Sequence, residues 1–282
     1  MTTPSPQPGA PAATYVSPIP VRRTHLGDAL ASEWTKIRSV RSTMWTLGVM
    51  ILLLVGMGVL TAVIVTAASS STEESMDGAS ILTLGFFGVL LSSMCVITLG
   101  VLTITSEFGT GMIRATLTAC PSRPRVLTAK AIVYFLLVFV LSSVVTMVVA
   151  ALQVAIVGDA GTAAPTAGEW FRATIGVSLF LALLGLVSLA VGTLIRHSAG
   201  SITVMIGVLL LPLVLSLFMF TDGLEGVRNA LVEYSVPNLI GVFYDTAVTQ
   251  SGPTGWDPLW VMLGVTAAAM AGAYASLNAR DV

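Results

Sequence analysis

Long apolar runs separated by short polar segments dominate this chain of 282 residues. Six of the runs hold about 20 or more mainly apolar residues without an ionisable side chain, enough to cross a hydrocarbon core about 30 Å thick. A chain in hydrocarbon must satisfy its own backbone groups, and alternating ten-residue strands are absent, so each run is predicted to be a transmembrane helix. The predicted spans are approximately 44–68, 81–105, 131–157, 173–195, 202–221 and 259–277.

A short amphipathic segment precedes the first span. Leu26, Leu30, Trp34 and Ile37 recur at helical spacing among polar residues, which predicts a helix lying along the membrane surface. A simple basic anchor for the first span would explain this composition nearly as well. The predicted organisation is a disordered Pro-rich tail at 1–24, an interfacial helix at 25–43 and a six-span domain at 44–282.

A second segment of intermediate hydrophobicity precedes the last span. It reads NALVEYSVPNLIGVFYDTAV and is interrupted by Glu233, Pro237, Asn238 and Asp245. Because these interruptions rule out a further span, the segment is predicted to be a re-entrant or interfacial pair of helices.

Composition agrees with lipid as the surrounding solvent. Hydrophobic residues make up 55% of the chain and charged residues 10%, against about 25% charged in a typical soluble domain. A soluble all-helical protein is the alternative, but the six runs have no polar face to meet water. The predicted fold class is therefore an all-α integral membrane protein with six transmembrane helices.

The basic residues predict the orientation. When the six spans alternate, 11 of the 13 lysines and arginines fall on one side, and only Arg172 and Arg228 fall on the other. Lysine and arginine near span ends are retained on the cytoplasmic side. Both termini and the loop between spans two and three are thus predicted to be cytoplasmic, in the plasma membrane.

Sequence patterns for enzyme chemistry are missing. The chain has only His25 and His197, with no HExxH or GxSxG pattern, and neither Lys36 nor Lys130 stands in a phosphate-binding loop. No catalytic, metal or directly bound cofactor site is therefore predicted. The spans also lack the buried titratable groups of most ion-coupled secondary transporters, which disfavours that class, while a non-transporting scaffold or assembly protein stays open.

The order of these parts resembles the permease subunits of type-2 ABC exporters, particularly actinobacterial members. The resemblance rests on two stretches, ASEWTKIRSVRSTMWTL at 31–47 and TSEFGTGMIRATLTACPSRPRVLTAK at 105–130, and covers about residues 26–282. In that family a short coupling helix between spans two and three contacts a separate ATP-binding subunit. The resemblance implies a permease that is not itself an enzyme and that exports a solute when the partner hydrolyses ATP.

The resemblance also implies partners and site residues. The partners are the ABC ATP-binding subunit, a second permease copy in a homodimer or heterodimer, the bilayer and an unidentified solute; nucleic acid is not among them. Residues implied to transmit the work of the ATPase are Glu107, Arg114, Pro121, Arg123, Arg125 and Lys130, with Glu33, Trp34 and Lys36 on the N-terminal helix. Residues implied to line the translocation path, on spans two and five, are Phe86, Phe87, Ser93, Thr98, Met205 and Phe218.

Overall fold

The structure, a computed structural model, describes residues 25–69, 80–119, 122–158, 164–219, 221–248 and 252–279. The predicted tail at 1–24 lies outside this part of the chain. The described residues are helical, without strands. The helices are α1 Leu26–Ser39, α2 Arg41–Ser69, α3 Phe86–Gly109, α4 Met112–Ala119, α5 Arg123–Val157, α6 Ala167–Phe171, α7 Val177–Ile195, α8 Ser198–Ser216, α9 Glu225–Glu233, α10 Val236–Val242 and α11 Asp257–Ala279, with 3₁₀ turns at Ile81–Gly85 and Asp222–Leu224 and a π turn at Arg172–Gly176.

The prediction of six spans is confirmed. Within the described residues, six helices are long and apolar enough to cross a membrane. Their bounds are Arg41–Ala68, Ile81–Gly109, Arg123–Val157, Ala167–Ile195, Ser198–Ser216 and Asp257–Ala279.

Five of these spans are longer than predicted, and in two of them the additional residues include a buried charge. The second continues through Glu107 and the third begins at Arg123, before Lys130. The sequence boundaries were placed at the first ionisable residue on each side, because an isolated charge in hydrocarbon is costly. Here Glu107 and Lys130 pair with each other, so both helices continue past them.

The centre of the bundle is formed by α3, α5 and α7. A Cβ atom on Gly100 would lie 2.7 Å from the carbonyl oxygen of Gly185, so α3 and α7 approach each other at backbone distance. Tyr134 of α5 is fully buried beside this crossing, and its hydroxyl donates to the carbonyl of Val96 over 2.7 Å. These contacts fix how the three central helices stand relative to each other.

The short helices gather at opposite ends of the bundle. At one end, named the α4 end, α1, α4 and the start of α5 lie near the end of α11, where Arg123 donates to the carbonyl of Leu277 over 2.9 Å. At the other, named the α10 end, Phe243 follows α10 and its ring lies 6.4 Å from that of Trp256. The segment before the last span thus forms two short helices, α9 and α10, and a short helix, α4, lies between spans two and three.

Candidate functional site

Four charged side chains meet at the α4 end. Nζ of Lys130, in the third turn of α5, lies 2.6 Å from Oε2 of Glu33 and 2.9 Å from Oε1 of Glu107. Nζ of Lys36 lies 2.7 Å from Oε1 of Glu33 and 2.9 Å from the same Oε1 of Glu107. We name these four residues the charge cluster. It joins α1, α3 and α5, and its two lysines balance its two glutamates.

The fold of α1 explains how two members of the cluster reach it. The helix begins at His25, whose backbone N–H donates to the carboxylate of Asp28 over 3.0 Å and so satisfies one free donor of the first turn. Glu33 and Ile37, one turn apart, are its buried residues. Lys36 follows Glu33 by three residues, the spacing that places two side chains on one helix face.

The other two members arrive on separate spans. Glu107 lies in the last turn of α3, and Lys130 lies in the third turn of α5, the helix that follows α4. Because the chain passes from α3 through α4 into α5, the end of α3 and the start of α5 lie at the same end of the bundle. A carboxylate and an ammonium 23 residues apart in sequence thereby lie at the same depth in the bundle.

Burial makes the cluster depend on all its members. The side chains of Glu33, Glu107 and Lys130 are at most 4% exposed, and only Lys36 is partly exposed, at 27%. Removing one partner from a buried ion pair leaves the other charge uncompensated, which typically costs about 3–5 kcal/mol. The cluster is therefore a fixed joint between three helices.

Lys36 keeps its charge at physiological pH. Burial opposes the ammonium form of Lys36 and is the largest single influence on it, but the hydrogen bonds to Glu33 and Glu107 and the charges of these carboxylates together raise its pKa above the ordinary 10.5. A raised lysine pKa means that the interaction is fully present below 10.5 and is lost only as pH rises through the higher folded value. The charge of Lys36 therefore does not switch near neutral pH.

The remaining residues predicted to transmit work are distributed around the α4 end. Arg123 donates to the carbonyl of Leu277 on α11, and Arg125 is half-buried in the first turn of α5. Trp34 is 46% exposed on α1. Pro121 and the side chain of Arg114 lie outside the described residues. The role of all nine residues stays a prediction.

The first two residues of α4 differ in burial. Ile113 is buried, whereas Met112 is 43% exposed. An open groove of about 390 Å³ lies between α1, α4 and α5, with mostly apolar walls that also include Glu33 and Lys36. The cluster therefore stands directly behind the surface that α4 presents.

The residues predicted for the translocation path differ widely in exposure. Ser93 and Met205 are buried within the chain, whereas Phe87 and Phe218 are exposed, at 55% and 74%. Thr98 is half-buried and donates to the carbonyl of Met94. Phe86 packs its ring against Tyr244, 6.5 Å away. These six residues do not share one surface, and their role stays a prediction.

Sequence reasoning missed Arg196. It ends α7 with a left-handed backbone (φ 58°), and its guanidinium lies 5.0 Å from the centre of the ring of Phe108, the residue that follows Glu107 in the chain. This cation–π contact ties the corner between α7 and α8 to the end of α3. In the sequence, Arg196 is a lone arginine between two long apolar runs. The retention of basic residues on the cytoplasmic side already accounts for such an arginine.

Among the described residues, no group of three or more His, Cys, Asp or Glu side chains could hold a metal ion. His197 instead caps α8, where its Nδ1 accepts from the backbone N–H of Gly200 over 3.1 Å.

Comparison with known proteins identifies the family. No curated protein matches the chain in sequence. A family model described as "ABC-2 family transporter protein" matches residues 29–211, which include most of α1, all of α4 and the four members of the charge cluster. The match covers well over half of the chain, and the chain therefore belongs to the ABC-2 family of transporter proteins, as a multi-pass membrane permease.

Proposed function

We propose that this permease is driven by a separate ATP-binding subunit that docks at α4, and that it exports its solute across the plasma membrane. In this arrangement both termini and the α4 end face the cytoplasm, where ATP is available, and a second permease copy completes the transporter. The observation that carries the proposal is the charge cluster, because it joins α1 to the ends of the two central spans between which α4 lies.

The cluster supports a role in transmission through its rigidity. A displacement of α4 reaches α3 and α5 directly along the chain, since α4 is joined to the end of one and the start of the other. Three ion pairs of 2.6–2.9 Å hold these two ends and α1 together. A push on α4 would therefore move the ends of the spans as one body instead of being lost in local bending.

The surface of α4 suits a protein partner. The exposed Met112 and the mostly apolar groove beside it offer surface that excludes water on contact. A scaffold protein would need no such joint between an external surface and two central spans. The family assignment and the joint together favour an energised permease over that alternative.

Charge reversal on α4 tests the docking. We expect Arg114→Glu to lower the amount of ATP-binding subunit that co-purifies with the tagged permease at least tenfold, because an acidic group replaces the one cation of this helix. The complex is purified from the membranes of cells that express both subunits, and its subunit stoichiometry and rate of ATP hydrolysis are measured.

A matched control is Arg228→Glu on α9. We expect it to leave co-purification of the ATP-binding subunit unchanged. In the proposed orientation α9, in the segment before the last span, lies on the opposite side of the membrane from α4. Equal melting temperatures of the two variants in detergent would show that insertion and folding are intact. Retention of a stoichiometric ATPase by Arg114→Glu would overturn the docking proposal.

A further inference from the structure

A cavity of about 260 Å³ lies beside the charge cluster, between α1, α2 and α3. At about 30 Å³ per water molecule it offers room for a polar group the size of roughly eight or nine waters. The corner between α1 and α2 borders it, and the first span begins at this corner, at Arg41. The cavity therefore lies at the depth where lipid headgroups meet the protein.

The walls of the cavity are rich in hydrogen-bond acceptors. Ser39, Thr46 and Thr103 line it, and each hydroxyl donates to a backbone carbonyl three or four residues earlier, over 2.6–3.0 Å. A hydroxyl has one hydrogen and two lone pairs. With the hydrogens used in the helices, these three oxygens can meet a ligand as acceptors.

Glu107 contributes an incompletely satisfied carboxylate to the same cavity. Its Oε1 accepts from both lysines of the charge cluster. Its Oε2 is buried, and none of the described residues donates to it. Burying a carboxylate oxygen without a donor is costly, so a donor from outside the described polypeptide would stabilise this arrangement.

Lys36 supplies the opposite charge at the cavity wall. Its ammonium has three N–H donors, and the described residues accept two of them, at Glu33 and Glu107. Because the side chain is 27% exposed, the third donor is accessible to an anionic group. The cavity thus offers one cationic donor next to a set of acceptors, while the cluster as a whole is neutral.

We propose that this cavity binds the headgroup of a phospholipid with a primary amine, of the phosphatidylethanolamine class. Lys36 receives the phosphate, the hydroxyl oxygens receive the ammonium N–H groups, and the negative charge of the Glu107 carboxylate favours the ammonium beside it. A choline headgroup lacks these N–H groups, and a glycerol headgroup lacks the cation. The lipid would hold α1 against α2 and α3 next to the charge cluster, a role that goes beyond the proposed transport function.

The test uses the full-length protein in nanodiscs of three compositions. Each contains phosphatidylethanolamine, phosphatidylcholine or phosphatidylglycerol, all with the same oleoyl chains. Each lipid is mixed in equal amount with the same inert background lipid. Native mass spectrometry measures the lipid that stays bound after release from the disc. We expect at least tenfold greater retention of phosphatidylethanolamine than of the other two lipids. Equal retention of phosphatidylcholine would overturn recognition of the amine, and equal retention of phosphatidylglycerol would reduce the cavity to a phosphate site and overturn the proposal as well.

Two variants locate the binding. Thr103→Val keeps the side-chain shape but removes one acceptor from the cavity, and we expect it to lower the preference for phosphatidylethanolamine several-fold. Thr35→Val is the matched control, because its hydroxyl also donates to a carbonyl one turn earlier, on α1, but is exposed outside the cavity. An unchanged preference in Thr103→Val, or an equal loss in both variants, would overturn the assignment to this cavity.

Discussion

The two ends of the bundle are held together by different chemistry. At the α4 end, buried carboxylates and ammonium groups from α1, α3 and α5 form the charge cluster. At the α10 end, aromatic rings interlock: Phe243 lies 5.9 Å from Phe180 and 6.4 Å from Trp256, with steep angles between the ring planes.

This difference has a mechanical consequence. Ring contacts weaken gradually as rings slide or tilt, since dispersion and the hydrophobic effect have little directional preference. Buried charges tolerate no such sliding, because each must keep a partner of opposite sign. The α4 end is therefore suited to move as one body, and the α10 end to adjust around it.

Breaking the cluster should have the largest effect. Lys130→Met keeps the apolar stem of the side chain but leaves Glu33 and Glu107 buried with one cation, Lys36. We expect a loss of about 3–5 kcal/mol of stability, measured by thermal or denaturant unfolding in detergent micelles.

The double variant Glu107→Gln with Lys130→Met is the matched test. Because it removes one charge of each sign, we expect it to lose less stability than the sum of the two single variants. Strict additivity, or a melting temperature for Lys130→Met equal to that of the unaltered protein, would contradict the view that these charges act together.

Trimming the aromatic contacts should have an intermediate effect. Phe243→Leu keeps most of the buried volume but removes ring contacts with Phe180 and Trp256, which are worth about 0.5–1.5 kcal/mol for each pair. We therefore expect a loss of roughly 1–2 kcal/mol in the same unfolding assay. Phe218→Leu, at a position 74% exposed, is the control and should change nothing. A loss for Phe243→Leu as large as that for Lys130→Met would remove the contrast between the two ends.

The spans could be predicted from the sequence because their signal is local. A run of 20 apolar residues has few alternatives in a chain of this composition. The helices continue past the predicted bounds next to Glu107 and Lys130. In a sequence, a charge looks like the end of a span unless its partner is known. That partner lies on another helix, and nothing in one sequence marks the two as a pair.

The charge cluster shows the same limit for function. All four members were named from the family resemblance, but as separate contacts with an ATPase, and the geometry of their meeting was not foreseen. Glu33 and Lys130 lie 97 residues apart in the chain. The amphipathic pattern of α1 pointed to its apolar residues, whereas the contact that fixes α1 to the spans uses its glutamate.

The smallest effect is expected at the surface of the α10 end, where Arg172 and Asp245 form a two-fold hydrogen-bonded pair at 3.1 and 2.9 Å. The side chain of Asp245 is 53% exposed, and exposed ion pairs are worth about 0–1 kcal/mol. Asp245→Asn keeps a residue type that tolerates the left-handed backbone found here (φ 53°), so the change removes charge without adding strain. We expect a loss below about 1 kcal/mol that shrinks further in high salt, because solvent ions screen this pair but not the buried cluster. If the loss instead persisted undiminished at high salt, the pair at the α10 end would act like the cluster at the α4 end, and solvent exposure would no longer explain why the two ends differ.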